Sequence, residues 1–335
     1  MITNALLLLV CLCLILLSCV VFTNAIEWLG KKLNLGQGVV GSVFAAIGTG
    51  LPETIIPILA IVVYKNEGAD QIGIGAIAGA PFMLGTLAFF VTGAAVLIYA
   101  GLGKRSIRMN VDKDVIARDL KFFIIIYGIA VLTTLVHTHM ILKSCIAILL
   151  MFSYIVYLRC TFNDETDQVE IAEELYLTRL FKVKTNLALI IIQLLIALGG
   201  IIFGAHLFVN YVECLAVCLG ITPLVLSMIV TPIATELPEK LNSVIWIGKK
   251  KDTLALGNIT GAMVFQSCFP VVFGILCTPW NLTGITMVSA ILALTSAIIT
   301  LGWIKLKGSL NPFILMFGGL LYIIFLTNVF GFDII

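Results

Sequence analysis

The sequence predicts an all-α membrane protein of about ten transmembrane helices, arranged as two inverted five-helix repeats. Three observations predict it. Of the 335 residues, 61% are hydrophobic and only 11% are charged, whereas roughly a quarter of an ordinary soluble domain is charged. A globule this apolar has no surface to offer water, so its solvent is lipid. Of the 20 basic residues, all but Lys65, Lys143 and Lys240 fall in loops on one side of the predicted topology, which is the asymmetry of cytoplasmic loops. Finally, a pair of short blocks recurs in the same order in each half of the chain.

The spans follow in order as approximately 5–25, 37–64, 71–100, 120–136, 141–158, 187–209, 214–247, 253–277, 282–303 and 310–331. An apolar run of about 20 residues crosses the hydrocarbon as a helix, which satisfies its own backbone. The first run is read as a retained helix, because Met1 to Asn4 carries no basic residue and no small-x-small cleavage site follows. Residues 1–160 then form one five-helix repeat and 187–335 the second. Five is odd, so the second copy is inverted relative to the first. Residues 161–186 form a cytoplasmic linker, expected to be helical and solvated, acidic at Asp164 to Glu174 and basic at Arg179 to Lys184, in keeping with a helix dipole. The basic loops put both termini outside, in an expected prokaryotic plasma membrane. Nine cysteines with no C-x-x-C read as small membrane-core residues rather than disulfides or metal ligands. Trp28, Trp246, Trp280 and Trp303 sit near span ends, where aromatic belts form. His137 and His139 fall in an outer loop. The basic clusters are loop anchors, so no nucleic-acid partner is expected; the partners are the lipid bilayer and inorganic cations, and no oligomeric state is specified.

The repeated blocks carry the chemistry. Gly48-Thr49-Gly50-Leu51-Pro52-Glu53 matches Ala234-Thr235-Glu236-Leu237-Pro238-Glu239. Asp70 to Ala80 then matches Asp252 to Ala262, the intervening loop differing by four residues. Proline removes a donor and opens the helix, and interrupted helices paired across two halves mark a transporter's binding site. Opened turns expose carbonyl oxygens; Thr49 and Thr235 add hydroxyls, and Glu53 and Glu239 add charge. Ca²⁺ takes six to eight such oxygens and needs no sulfur or imidazole. A carboxylate at the bilayer centre costs at least ~2.5–3.5 kcal/mol. Glu53, Glu236 and Glu239 therefore require cations, protons or Lys240, which lies at ion-pair spacing from Glu236. A network that only ties helices together is the other reading of Glu236 and Lys240. Gly73, Gly75, Gly79, Gly257 and Gly261 are expected to let helices approach closely. Asn258 and Gln266 place amides in a span, Gln266 as an ion ligand or an interhelical hydrogen bond.

These blocks resemble the alpha repeats of the cation/Ca²⁺ antiporter superfamily, which includes the Na⁺/Ca²⁺ exchangers and whose signature is approximately G-T-S-x-P-E followed by G-N-x-x-G-S-N-x-F-N in each half. The resemblance implies a sodium/calcium exchanger-like fold in which the second, third, seventh and eighth helices enclose the ions, with alternating access by sliding of the first and sixth. The cation-binding residues expected are Glu53, Glu239, Thr49, Thr235, Glu236 and Gln266, with Glu53 and Glu239 as the metal ligands and Lys240 and Asn258 modulating. The chain departs from the pattern at Gly50 and Glu236, where the family has serine, and at Ala80, Leu84 and Ala262, which offer no side-chain oxygen. The coupling ion and stoichiometry therefore do not carry over.

The function expected is secondary antiport of Ca²⁺ against Na⁺ or H⁺, with no cofactor beyond the transported ions. Two ions competing for the same carboxylates give exchange, because one must leave before the other binds. The alternatives are a monovalent cation/proton antiporter on the same fold and a passive cation channel. An enzyme is not expected: no paired aspartates, Ser/His pair or H-E-x-x-H lies in these spans.

Overall fold

A computed structural model describes residues 2–32, 50–64, 67–136, 138–164 and 174–331. Every regular element among them is helical. The helices are α1 (Ile2–Lys32), α2 (Leu51–Ile58), α3 (Glu67–Met83), α4 (Phe89–Gly101), α5 (Lys113–Leu132), α6 (Met140–Asp164) and α7 (Tyr176–Phe181) in the first part of the chain. The remainder are α8 (Leu187–Leu219), α9 (Pro223–Thr235), α10 (Leu237–Gly248), α11 (Asp252–Cys277), α12 (Ile285–Lys307) and α13 (Pro312–Val329). Eight of the described helical runs are long and apolar enough to cross a membrane, and Pro52–Tyr64 and Pro223–Ile233 are shorter apolar helices.

Local chemistry sets the ends. Asp112 caps α5 by accepting from the Asp114 and Val115 amides, and Asn186 caps α8 through the Leu189 amide. Gly220, at φ 68°, stops α8, and Pro223 opens α9. This corrects the predicted boundaries: the sixth span runs on to Leu219, and the seventh starts at Pro223 rather than at 214. The seventh is also broken at Glu236 into α9 and α10. Pro57 and Pro81 lie inside α2 and α3, and each helix loosens into a π turn a few residues later, at Leu59–Tyr64 and Leu84–Ala88.

Packing divides the helices in two. Helices α1 and α8 lie against each other, sharing Ile15, Cys19, Ile201 and Phe208 in a hydrophobic cluster that also takes in residues of α2, α3 and α9. A second, larger core holds α4, α5, α11, α12 and α13 with the rest of α3. Contacts come in matched pairs: α2 packs on α3 as α10 packs on α11, and α11 packs on α5 as α3 packs on α12. The α3–α9 contact is close, because a Cβ at Gly79 would run into the Met228 carbonyl. Among the described residues, nothing lies within 4 Å of a Cβ added at Gly257. By the repeat, the segment equivalent to α9 in the first half is 37–49, which lies outside the described residues.

Two further expectations are revised. The linker was expected to be solvated, but Leu175 is buried against Ala25 and Ile190. Its backbone is held by side chains of α1 and α8: Tyr176 N–H donates to Asn24 Oδ1 at 3.2 Å and Leu177 N–H to Gln193 Oε1 at 2.9 Å. Trp280 is not part of an interfacial belt. It is 1% exposed, and its indole donates to the Ala130 carbonyl at 2.9 Å. All nine cysteines are free, but only Cys11, Cys19 and Cys268 are buried in the protein.

Candidate functional site

The two copies of the Leu-Pro-Glu block adopt one backbone shape. Gly50 precedes α2 at φ −84°, ψ 4°, and Glu236 precedes α10 at φ −91°, ψ 9°. Each helix starts with proline in its first positions and the glutamate in its first turn, where the amide ends of the helix favour negative charge. Pro57, Pro238 and Pro270 have no N–H to give to the carbonyls four residues earlier, those of Glu53, Ala234 and Gln266.

The structure brings most of the expected residues together. Glu53 and Glu239 are each 3% exposed and Glu236 is 0% exposed. Glu53 lies close enough to Glu239 and Glu236 for the three charges to interact, with the Thr235 hydroxyl beside it. Among the described residues, no hydrogen-bond donor reaches either Glu53 oxygen in bonding geometry, nor Glu236 Oε1, nor Gln266 Oε1. The Gln266 amide stands next to Glu236. Thr235 spends its proton on the Thr231 carbonyl at 2.9 Å, so it offers Glu53 no donor and presents oxygen lone pairs. Asn258 is less engaged, donating over 3.4 Å to the backbone carbonyl of Glu239. Thr49 lies outside the described residues.

Lys240 is the one described cation in this chamber. Its Nζ is 3.2 Å from Glu236 Oε2 and donates to the Pro232 carbonyl at 3.0 Å. The spacing-based ion pair is therefore formed, across the interruption between α9 and α10.

Sequence reasoning missed three neighbours. Cys19 of α1 sits within electrostatic reach of Glu53 and Glu239; a lone thiol in an apolar run carries no signal. Ser227, Thr231 and Thr235 form a row of hydroxyls along one face of α9. Ser227 donates to the Ile72 carbonyl at 2.8 Å and lies 3.0 Å from Thr231 Oγ1. Their spacing of four residues was a legible signal.

Chemically, the chamber is a cluster of buried acceptors, with donors scarce apart from Lys240. A cation complements such a set. Among the described residues, no three His, Cys, Asp or Glu side chains converge into a ready metal cage, so any ion held here draws on hydroxyl, amide and carbonyl oxygens as well.

Known proteins share this architecture. The chain matches the solved H⁺/Ca²⁺ exchanger CAX with a TM-score of 0.73 and 14% identity, over 96% of this chain and 81% of that one. It matches the sodium-calcium exchanger NCX_Mj with a TM-score of 0.59 and 21% identity, over 97% and 98% of the two chains. It is also 24% identical over 243 residues to the uncharacterized membrane protein MJ0091 of Methanocaldococcus jannaschii, covering 72% of each. The family model described as sodium/calcium exchanger protein matches residues 3–162 and 189–331, and the chain belongs to that family.

Proposed function

We propose that this protein is a secondary antiporter that exchanges Ca²⁺ for Na⁺ or H⁺ by alternating access. In this reading Glu53 and Glu239 are the shared ligands, helped by Thr235, Gln266 and backbone carbonyls. The observation that carries it is the Glu53 carboxylate, buried beside two others with no donor on either oxygen among the described residues. Burying such a group unpaired is prohibitive, and a divalent cation compensates two carboxylates at once. The ion is the cargo, so the site must be one it can leave. Oxygen ligands on interrupted helices suit this, because they need no covalent cage.

The matched helix contacts support two inverted halves, 1–160 and 187–335, joined by the 161–186 linker. The shared α1–α8 cluster supports a pair of helices that moves against the bundle. The two exchangers named above take Ca²⁺ with H⁺ or Na⁺ as partner ion, which supports the same substrate class here.

One observation favours a monovalent cation instead. Ala80 and Leu84 are buried within the first-half helix α3 and the π turn that follows it, and their side chains bring no oxygen toward the six to eight that Ca²⁺ takes. Calorimetric titration of the purified protein separates the readings. Ca²⁺ exchange requires heat from Ca²⁺ that is reduced by prior Na⁺ or by acid. Heat from Na⁺ or K⁺ with none from Ca²⁺ would replace it with monovalent cation/proton antiport.

A further inference from the structure

One difference between the two halves inside the chamber is a matched pair of charges. The repeat aligns Gly50 with Glu236 and Thr54 with Lys240. In the first half, Thr54 turns back on its own backbone, its hydroxyl donating to the Gly50 carbonyl at 2.8 Å. In the second half, a buried ammonium stands between a carboxylate oxygen at 3.2 Å and a helix carbonyl at 3.0 Å, with the Gln266 amide next to that carboxylate. Lys240 is 7% exposed and Glu236 0%. An ammonium is a compact point charge with three donors, and its surroundings here are those of a small monovalent cation among oxygens.

We propose that the Lys240 ammonium is a tethered cation that permanently fills one ion position of the chamber. The exchange cycle then runs with one fewer soluble cation than it would if a neutral residue stood at 240. This rests on the reading of the chamber as an exchange site and specifies how many of its positions accept soluble ions. The rival is a brace, since Lys240 on α10 also grips the Pro232 carbonyl on α9. The two differ in what they require: a brace needs a donor, whereas a filled ion position needs a positive charge.

Lys240→Gln keeps amide donors and removes the charge, and Lys240→Ala removes both. Each is reconstituted in proteoliposomes, and Ca²⁺ exchange is measured while methylammonium or K⁺ is raised equally on both sides, so that the added ion supplies no driving force. The proposal expects both variants to be slow without the added cation and to be stimulated, saturably, by about tenfold or more, with wild type indifferent to it. Should Lys240→Ala fail to fold, Lys240→Gln decides alone. A Gln variant that behaves like wild type, or a loss that no soluble cation restores, overturns the tethered ion. A wild type that moves no Ca²⁺ removes the exchange reading and this inference with it. Exchange by wild type with unstimulated variants removes this inference alone.

Discussion

Glu53 holds an acidic group that is buried and that no donor among the described residues reaches, so the ion-free protein is destabilised at this residue. Glu53→Gln replaces the buried charge with a neutral isostere. The expected result is an ion-free protein more stable by about 2 kcal/mol, whose melting temperature no longer rises with Ca²⁺ as that of the wild type does. Thermal unfolding in detergent, with and without Ca²⁺, checks both halves of this statement. At this scale, Glu53 and Glu239 were legible because they recur in two copies of one block, and chance does not place a carboxylate twice after Leu-Pro in a membrane helix. Cys19 and Trp280 were not. A single thiol among leucines has no period to betray it. A tryptophan near a span end reads the same whether it faces headgroups or, like Trp280, finds a distant carbonyl such as that of Ala130.

Elements meet the site through contacts that the repeat predicts only in part. Helices α3 and α9 approach across Gly75 and Gly79, where an added Cβ would strike the Leu224 and Met228 carbonyls. Backbone cannot turn aside as a side chain can, so Gly79→Ala must push the helices apart. The expected cost is about 1–3 kcal/mol, together with slowed exchange. Melting curves of the variant and the wild type test this. An asymmetry concerns the matched acids Asp70 and Asp252. Asp252 is gripped by Arg105 through two contacts of 2.6 and 2.7 Å and accepts from the Asn110 amide at 2.8 Å. This fastens the loop after α4 to the start of α11. Breaking a buried pair leaves the other charge stranded, so Asp252→Asn is expected to cost about 3–5 kcal/mol. Asp70→Asn, at a half-buried position, costs under about 1 kcal/mol. Equal melting temperatures for the two variants would contradict the clasp. This contrast was not readable from the chain, because both copies have the aspartate, and only the tertiary partner distinguishes them. Helix existence, by contrast, was legible nearly throughout, since lipid leaves an apolar run of this length no other structure.

Over the whole molecule, the plan was the most legible feature and the ion the least. Charge asymmetry and a duplicated block describe a topology, and the matched helix contacts agree with it. The identity of the cargo depends on how many oxygens surround one point, and the chain departs from its family pattern at Gly50, Ala80, Leu84 and Ala262. The proposed cycle joins the scales: acids from both halves hold one cation, and α1 with α8 uncovers it on one side at a time. Its most direct test is uptake of radiolabelled Ca²⁺ into proteoliposomes under an imposed Na⁺ or H⁺ gradient, with wild type and Glu53→Gln side by side. The account predicts gradient-driven accumulation by wild type and uptake by the variant no greater than that of protein-free vesicles. Equal uptake by the two, or wild-type uptake indifferent to both gradients, would contradict it.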